Sequence, residues 1–379
     1  MLRADPTPSA ARPCAPDHEA ELPDERAAMA ELLQRHPARV TPHLANLIAR
    51  SEAVARQFLP DVREALSSRG FERTFVGLLP TGVRGLERMY PDRCVVMPTN
   101  YCPAYCRFCF RKAYRGPDGR PMSEAEQNAA LAYIAADVRL HEVLITGGEP
   151  LLDLTRLARL LDGLRTIEHV GPIRVACRSL ITEPTLIDDQ LVALLQTHQD
   201  LGRGRPIEVA LHCNHADELS DPTIERLVAL RRAGIHVYNQ SVLLRGINDN
   251  SAALLRLLRK LRDHGVESYH LYLPDPVQGT EHLRPTLAEA LGLKTALRRE
   301  ATGRVNPALI VTTRVGKVEP GVDAEIVARE QDGRHLWFRT PYTLDGFRAI
   351  DRAFELPTDT RLAPDGRIDV RYLDGAPVD

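Results

Sequence analysis

The fold of this chain is decided by residues 142–178, EVLITGGEPLLDLTRLARLLDGLRTIEHVGPIRVACR. A strand pattern fills Glu142–Thr146, leucines recur at helical spacing over residues 154–167, and a second strand pattern fills Ile173–Arg178. Short aliphatic runs separated by an amphipathic stretch are typical of a strand, a helix and a strand in succession. Since a crossover helix is the connection that parallel strands need, these residues predict one βαβ unit.

The same unit repeats on both sides of this stretch. Six successive βα units without an antiparallel hairpin predict the α/β class, with a parallel sheet curled into a partial (βα)6 TIM-like barrel. In such barrels the functional side chains gather at the carboxyl ends of the strands. The other predicted strands are Cys94–Pro98, Ile207–His212, Val237–Leu243 and Ser268–Leu273, followed by a strand-like run at Asn306–Thr313, and the other helices cover residues 123–137, 186–198, 221–234, 250–265 and 286–302.

Three further regions flank the predicted barrel, which spans residues 93–318. Residues 1–24 are rich in Pro and Ala without apolar periodicity, and they predict a disordered tail. Residues 25–92 show helical periodicity and predict a helical N-terminal region. Residues 319–379 mix short strand patterns with glycine turns around the lone Trp337, and they predict a small cover over the barrel.

Composition narrows the class of protein. The 379 residues are 44% hydrophobic and 26% charged, with a formal net charge of −2, which is typical of a globular protein. Without an excess of basic residues, a nucleic-acid partner is not expected. The sequence has no apolar run of about 18 residues to form a transmembrane helix, and its N-terminus lacks the apolar segment of a secretory signal. We therefore expect a cytoplasmic protein with no membrane partner.

Three of the seven cysteines, Cys102, Cys106 and Cys109, lie within eight residues directly after the first predicted barrel strand. The odd count and the clustering argue against a disulfide framework. Their C-x3-C-x2-C spacing offers three thiolates, whereas a four-iron cluster is usually held by four, so one iron would be left for a small molecule. A structural zinc site would need a fourth ligand, and the other four cysteines form no second pair, which argues against zinc. A zinc-stabilised binding module is the alternative hypothesis from another class of protein.

With Phe108 before the last cysteine, this cluster resembles the signature of the radical S-adenosylmethionine (SAM) superfamily. The segment Gly147-Gly148-Glu149 resembles the superfamily segment that contacts the methionyl amino group of SAM. The resemblance implies a 4Fe–4S cluster on the three cysteines, with SAM chelated to its open iron. It also implies an external electron donor of the flavodoxin or ferredoxin type, and a deoxyadenosyl radical that abstracts a hydrogen.

Stretches over residues 40–318, above all the run NQSVLLRG at residues 239–246, resemble lysine 2,3-aminomutase and its relatives. That family also uses pyridoxal 5′-phosphate (PLP), which needs a lysine amine. The resemblance places this lysine at Lys317, which lies just past a predicted strand, and Lys112 is an alternative candidate. It makes Arg93 a ligand of the PLP phosphate, for which a surface ion pair with Asp92 is the alternative.

The same matching implies that His212, Gln240 and Tyr272 line the SAM and PLP side of the cavity. Each of them could instead be a hydrogen-bonded polar residue at a strand end.

The resemblance also implies how a substrate is held: Arg111 binds its α-carboxylate and Asp275 its distal cation. The second acid of the lysine enzymes falls on Thr312, and the glycine-rich run before the PLP lysine is two residues shorter, beside Arg314. The implied function is a 2,3-aminomutase acting on a free cationic amino acid, arginine- or lysine-like. A dehydratase of a hydroxylated amino acid of that class is the alternative, and a homo-oligomer is expected.

Overall fold

The structure is a computed structural model that describes residues 25–65, 79–112 and 120–376. The tail predicted at residues 1–24 lies outside the described residues. The larger sheet contains nine strands: β1 (Leu86–Arg88), β2 (Arg93–Thr99), β3 (Glu142–Gly147), β4 (Ile173–Cys177), β5 (Ile207–Leu211), β6 (His236–Val242), β7 (Glu267–Tyr272), β8 (Ala308–Thr313) and β9 (Gly316–Val318).

The nine strands lie side by side in the order of the chain. Strands β2 to β8 pair in parallel, whereas β1 pairs antiparallel with β2 and β9 antiparallel with β8. Among the described residues no pairing joins β1 to β9, so the sheet remains open. The predicted α/β class and partial barrel of six βα units are confirmed, and β8 adds a seventh parallel strand.

Helices connect the parallel strands at the predicted places. In the part of the chain that the structure describes, no helix is both long and apolar enough to cross a membrane. Gly234 and Gly265, with φ of +78° and +71°, follow two of the helices in the left-handed conformation that commonly ends a helix. The helices are α1 (Glu25–Arg35), α2 (Pro42–Ile48), α3 (Glu52–Phe58), α4 (Glu124–Ala136), α5 (Leu154–Thr166), α6 (Ser179–Thr182), α7 (Asp189–Thr197), α8 (Asp221–Arg232), α9 (Ser251–Asp263), α10 (Leu287–Glu300) and α11 (Leu344–Arg348).

The main core lies between the sheet and these helices. In β4 the buried residues alternate with partly exposed ones, so that Ile173, Val175 and Cys177 face the helices while Arg174 faces the other side of the sheet. The helix side is filled mainly by leucines of α5, which are Leu157, Leu160, Leu161 and Leu164. Burial raises the pKa of Cys94 to about 12, so this cysteine is an inert core residue.

The described part of the N-terminal region contains a strand beside the helices. Helices α1 to α3 are present, but Leu86–Arg88 forms strand β1 and extends the barrel sheet. Its residues Leu86, Glu87 and Arg88 pair with Val96, Val95 and Cys94 of β2. Three residues are too few to show strand periodicity in the sequence.

The C-terminal region forms a second, antiparallel sheet with the order β10-β11-β13-β12. Its strands are β10 (Glu325–Arg329), β11 (His335–Thr343), β12 (Thr360–Leu362) and β13 (Arg367–Leu373). Leu336 and Phe338 of β11 share a core with Leu309 and Val318 of the last barrel strands. The predicted cover therefore packs against the β8 and β9 edge of the barrel.

Arg284 ties this second sheet to the barrel. Its side chain is 1% exposed, and its guanidinium donates to main-chain oxygens of Pro274 and Leu373 at 2.9 and 2.8 Å and to the Tyr372 hydroxyl at 3.0 Å.

Arg284→Met would leave these buried acceptors without a donor, so we expect a loss of about 3 kcal/mol in the free energy of unfolding. Urea denaturation checks this, with the exposed Arg298→Met as the control. Equal stability of the two variants would contradict the assigned role.

Candidate active site

The cysteine loop leaves the carboxyl end of β2 and is anchored by the N-terminal region. Arg107, between two of the cysteines, is 3% exposed and forms a buried ion pair with Glu64, with Nη2 2.8 Å from Oε2. Its main-chain N–H donates to the oxygen of Gln57 at 2.8 Å. The loop conformation is thus fixed by residues far away in the sequence, while Cys102, Cys106 and Cys109 are only partly buried.

The glycine pair at the end of β3 packs directly on the start of this loop. The N–H groups of Gly148 and Glu149 donate to the main-chain oxygens of Thr99 and Tyr101, both at 2.7 Å. A Cβ at Gly148 would lie 2.1 Å from the oxygen of Tyr101, a distance that no side chain can occupy. Gly147 has a φ of +115°. Both glycines are therefore required by close backbone approach.

Glu149 connects β3 to the end of β4. Its side chain is buried, and Oε2 accepts from the main-chain N–H groups of Arg178 and Ser179 at 2.8 and 2.7 Å. Burial raises the pKa of Glu149, and these hydrogen bonds to the carboxylate oppose that shift. The carboxyl group thus holds the neighbouring strand ends together.

Arg178, which the sequence did not single out, lies beneath the cysteine loop. Its guanidinium contacts Cys106, pairs with the buried Glu218 at 2.5 Å and donates to the Gln57 side chain at 3.0 Å. Its position after β4 was visible in the sequence, but its partners come from distant segments. The guanidinium carbon of Arg178 lies 6.0 Å from the centre of the Phe108 ring. A buried positive charge therefore lies beside one of the three thiols.

His212 lies at the end of β5 on the same side of the barrel. Its ring centroid is 5.4 Å from that of Phe108, and Nε2 is 3.1 Å from the Asn214 side-chain oxygen. Burial and the nearby Arg178 lower the pKa of His212 to about 3, so its ring is neutral at physiological pH. The structure therefore brings this predicted residue next to the cysteine loop.

Lys317 lies on β9 with its amine inside the curled sheet. Its Nζ donates to the Tyr272 hydroxyl at 2.9 Å, and that hydroxyl lies 2.7 Å from His270 Nδ1. The side chain is surrounded by protein yet keeps an accessible surface. Burial lowers the pKa of Lys317, which increases the fraction of neutral, nucleophilic amine. Gln240 of β6 is in register with His270 and faces this group.

Asp275, Thr312 and Arg111 lie close to this lysine. Burial raises the pKa of Asp275 to about 6, and the shift is limited by a hydrogen bond with Thr312 and by the positive charges of Lys317, Arg284 and Arg111. The guanidinium of Arg111 also pairs with Glu87 of β1, at 2.9 and 2.7 Å. The structure therefore brings together three predicted residues and adds Glu87, which no local pattern identified.

Arg93 and Lys112 are the two remaining candidates for cofactor binding. Arg93 pairs with Asp92 at 2.9 Å, as the ion-pair alternative expected, and its guanidinium also stacks on Tyr90 at 3.7 Å. Because the Tyr90 hydroxyl accepts from the Lys317 main chain at 2.9 Å, Arg93 still lies near the lysine. Lys112 is buried beneath the cysteine loop, with Nζ 3.4 Å from the Arg107 oxygen. Its position favours Lys317 as the cofactor-binding lysine.

These arrangements fit the implied cofactors. Three thiols on one anchored loop, beside a glycine pair that admits close approach, suit a 4Fe–4S cluster with one open iron and a bound SAM. A lysine amine of lowered pKa that lies beside the hydroxyl of Tyr272 suits PLP.

Comparison with known proteins agrees with this geometry. The profile of the Radical SAM superfamily matches residues 96–290. A provisionally named L-lysine 2,3-aminomutase of Aquifex aeolicus (strain VF5) is 32% identical over 84% of this chain and 86% of its own. The chain belongs to the radical SAM superfamily, as a divergent member of the lysine 2,3-aminomutase family. Radical SAM aminomutases of this family use a 4Fe–4S cluster, SAM and PLP.

Two other relatives carry different substrate names. The L-lysine 2,3-aminomutase of Bacillus subtilis (strain 168) is 32% identical over 60% of this chain and 48% of its own length. The glutamate 2,3-aminomutase of Clostridioides difficile (strain 630) is 31% identical over 68% of this chain and 58% of its own length. The chain thus spans about half the length of these two relatives, and the identities do not separate the two substrates.

The close approach at the glycine pair gives a direct prediction. Gly148→Ala would place a Cβ 2.1 Å from the Tyr101 oxygen, so the cysteine loop has to shift. We expect this variant to lose most of its iron in anaerobic reconstitution while the barrel stays folded. Gly292→Ala in α10, where a Cβ meets nothing within 4 Å, is the matched control. Iron analysis and circular dichroism check both, and full iron content in Gly148→Ala would contradict the packing described.

Proposed function

We propose that this protein is a PLP-dependent radical SAM 2,3-aminomutase that acts on a free cationic amino acid, arginine- or lysine-like. The supporting observation is that the positive charges of Lys317 and Arg111 both act on the buried carboxyl group of Asp275, so the three side chains lie close together. The three residues follow or adjoin carboxyl ends of barrel strands, where the cysteine loop also begins. A nitrogen-activating group and a radical source thereby face the same space.

Under this proposal, each residue of the site has a separate role. When bound, PLP delocalises an unpaired electron beside the substrate nitrogen, and SAM on the cluster supplies the radical that takes the Cβ hydrogen. Lys317 would hold PLP through Nζ, an amine whose pKa is lowered by burial and which lies 2.9 Å from the Tyr272 hydroxyl. Arg111 binds the α-carboxylate with a guanidinium whose plane is fixed by Glu87. His212, being neutral, adds no positive charge to the site.

The distal end of the cavity favours a cation. Above a pH of about 6, Asp275 carries a negative charge that would repel the side chain of glutamate. Thr312, where the lysine enzymes have a second acid, contributes only a neutral hydroxyl. A guanidinium can be bound by one carboxylate and neutral acceptors because its charge is spread over five donors, whereas an ammonium is compact and strongly hydrated. This contrast supports arginine, or a hydroxylated arginine, over lysine.

An anaerobic assay with reconstituted protein, SAM, PLP and a reductant tests the proposal. Arginine, lysine, glutamate and their hydroxylated forms are offered separately, and products are identified by mass spectrometry. We expect a β-amino acid of unchanged mass from a cationic substrate. Loss of one water would show a dehydratase instead, and turnover of glutamate alone would overturn the proposed role of Asp275.

The distal anchor can be tested by binding. Asp275→Asn should weaken arginine binding by about 2 to 4 kcal/mol, the usual cost of stranding one partner of a desolvated charge pair. In the wild type, binding should also weaken as the pH falls through about 6, because protonation then removes the charge of Asp275. Calorimetric titration across pH checks both effects. A step near pH 6 that persists in Asp275→Asn would assign it to another group.

The cofactor lysine can be tested separately. Lys317→Ala should lose the borohydride-trapped PLP adduct while keeping the iron–sulfur absorbance, because the cysteine loop is anchored by other residues. Peptide mapping of the trapped protein gives the modified lysine. An adduct at Lys112 in the variant would move the PLP site to the cysteine loop.

A further inference from the structure

Lys317 lies on an edge strand, so part of its main chain has no neighbouring strand to bind. Strand β9 is the last of the nine-stranded sheet, and Lys317 faces Thr312 in the β8–β9 hairpin. Alternate main-chain groups of an edge strand point away from the sheet and need other partners. A mobile edge would leave the position of the lysine amine undefined.

Two tyrosine hydroxyls bind these outward groups. The Lys317 N–H donates to the Tyr90 hydroxyl at 2.9 Å, and the Tyr342 hydroxyl donates to the Lys317 main-chain oxygen at 2.6 Å. The two rings lie 6.1 Å apart. Tyr90 precedes β2, whereas Tyr342 belongs to β11 of the C-terminal sheet. Three distant parts of the chain therefore meet at this lysine.

Gly316 shows how closely Tyr342 packs on the hairpin. Its φ is +138°, and a Cβ there would lie 2.6 Å from two ring carbons of Tyr342. Any side chain at residue 316 would push the phenol away from the neighbouring Lys317 oxygen. The glycine before the lysine thus makes room for a residue of the C-terminal region.

We propose that Tyr342 is a positioning residue for Lys317, and that the C-terminal extension, residues 319–379, thereby forms part of the cofactor site. The inference rests on the proposed role of Lys317 in binding PLP. Holding the main chain on both sides keeps the amine beside the Tyr272 hydroxyl, 2.9 Å away. Without the Tyr342 hydroxyl, the edge strand gains freedom that must be lost again when the cofactor binds.

The test removes one hydroxyl from the full-length protein. Tyr342→Phe keeps the ring but not the hydrogen bond, so we expect PLP to bind roughly fivefold to thirtyfold more weakly. Trp337→Phe is the matched control. It removes one hydrogen-bond donor from the same strand, the indole N–H that donates to the Glu330 carboxylate at 3.0 Å. PLP titration, borohydride trapping and peptide mapping give affinity and position.

A second readout needs no cofactor. Burial lowers the pKa of Lys317, and a loosened lysine should regain a more ordinary value. We expect the pH midpoint for acetylation of Lys317 to rise in Tyr342→Phe and to stay unchanged in Trp337→Phe. Thermal unfolding of both variants should remain close to that of the wild type, which separates positioning from folding.

The outcomes distinguish the inference from the function on which it rests. If the wild type forms no PLP adduct at Lys317, the proposed function fails. If it does, and Tyr342→Phe binds PLP as tightly with the same acetylation midpoint, the positioning role is wrong. An equal loss of affinity in Trp337→Phe would also overturn it, because the effect would then be a general loosening of the extension. If Tyr342→Phe unfolds early, Tyr90→Phe, which frees the other side of the same residue, must show the weaker binding.

Discussion

The hydrogen bond from the Lys317 main chain to the Tyr90 hydroxyl connects the two ends of the open barrel. The nine-stranded sheet has two edges, β1 and β9, and no strand pairing joins them among the described residues. Tyr90 stands before the first parallel strand, and Lys317 lies just after the last. Their contact ties β9 to the segment before β2, and the Lys317 amine lies inside the sheet that this contact helps to close, beside the Tyr272 hydroxyl.

The cysteine loop is fixed by a different kind of interaction. Two buried ion pairs, Arg107 with Glu64 and Arg178 with Glu218, lie beside or beneath it. Buried pairs of this kind contribute little to net stability because desolvation offsets their attraction. They do impose one geometry, since breaking either pair leaves an unmatched charge. A loop that must present three thiols and pack closely against the glycine pair at the end of β3 benefits from this constraint.

Much of this architecture follows from local sequence patterns. The six βα units were predicted because each strand and each helix carries its own periodicity, and the cysteine and glycine motifs were placed by their positions after β2 and β3. What the sequence did not show are side chains whose roles depend on distant partners. Glu87 meets Arg111 across 24 residues and Tyr342 meets Lys317 across 25, without any spacing that marks them. Strand β1 was missed because it has only three residues.

In the proposed function, the residues around Lys317 bind the same substrate molecule whose Cβ hydrogen is removed at the cysteine loop. Arginine carrying deuterium at Cβ tests it most directly, in an anaerobic reaction with SAM, PLP and a reductant. We expect deuterium in the 5′-deoxyadenosine that forms and in the recovered SAM. Deoxyadenosine without deuterium, from Cβ-labelled arginine and Cβ-labelled lysine alike, would contradict the proposal that Arg111 and Asp275 bind the two ends of the substrate.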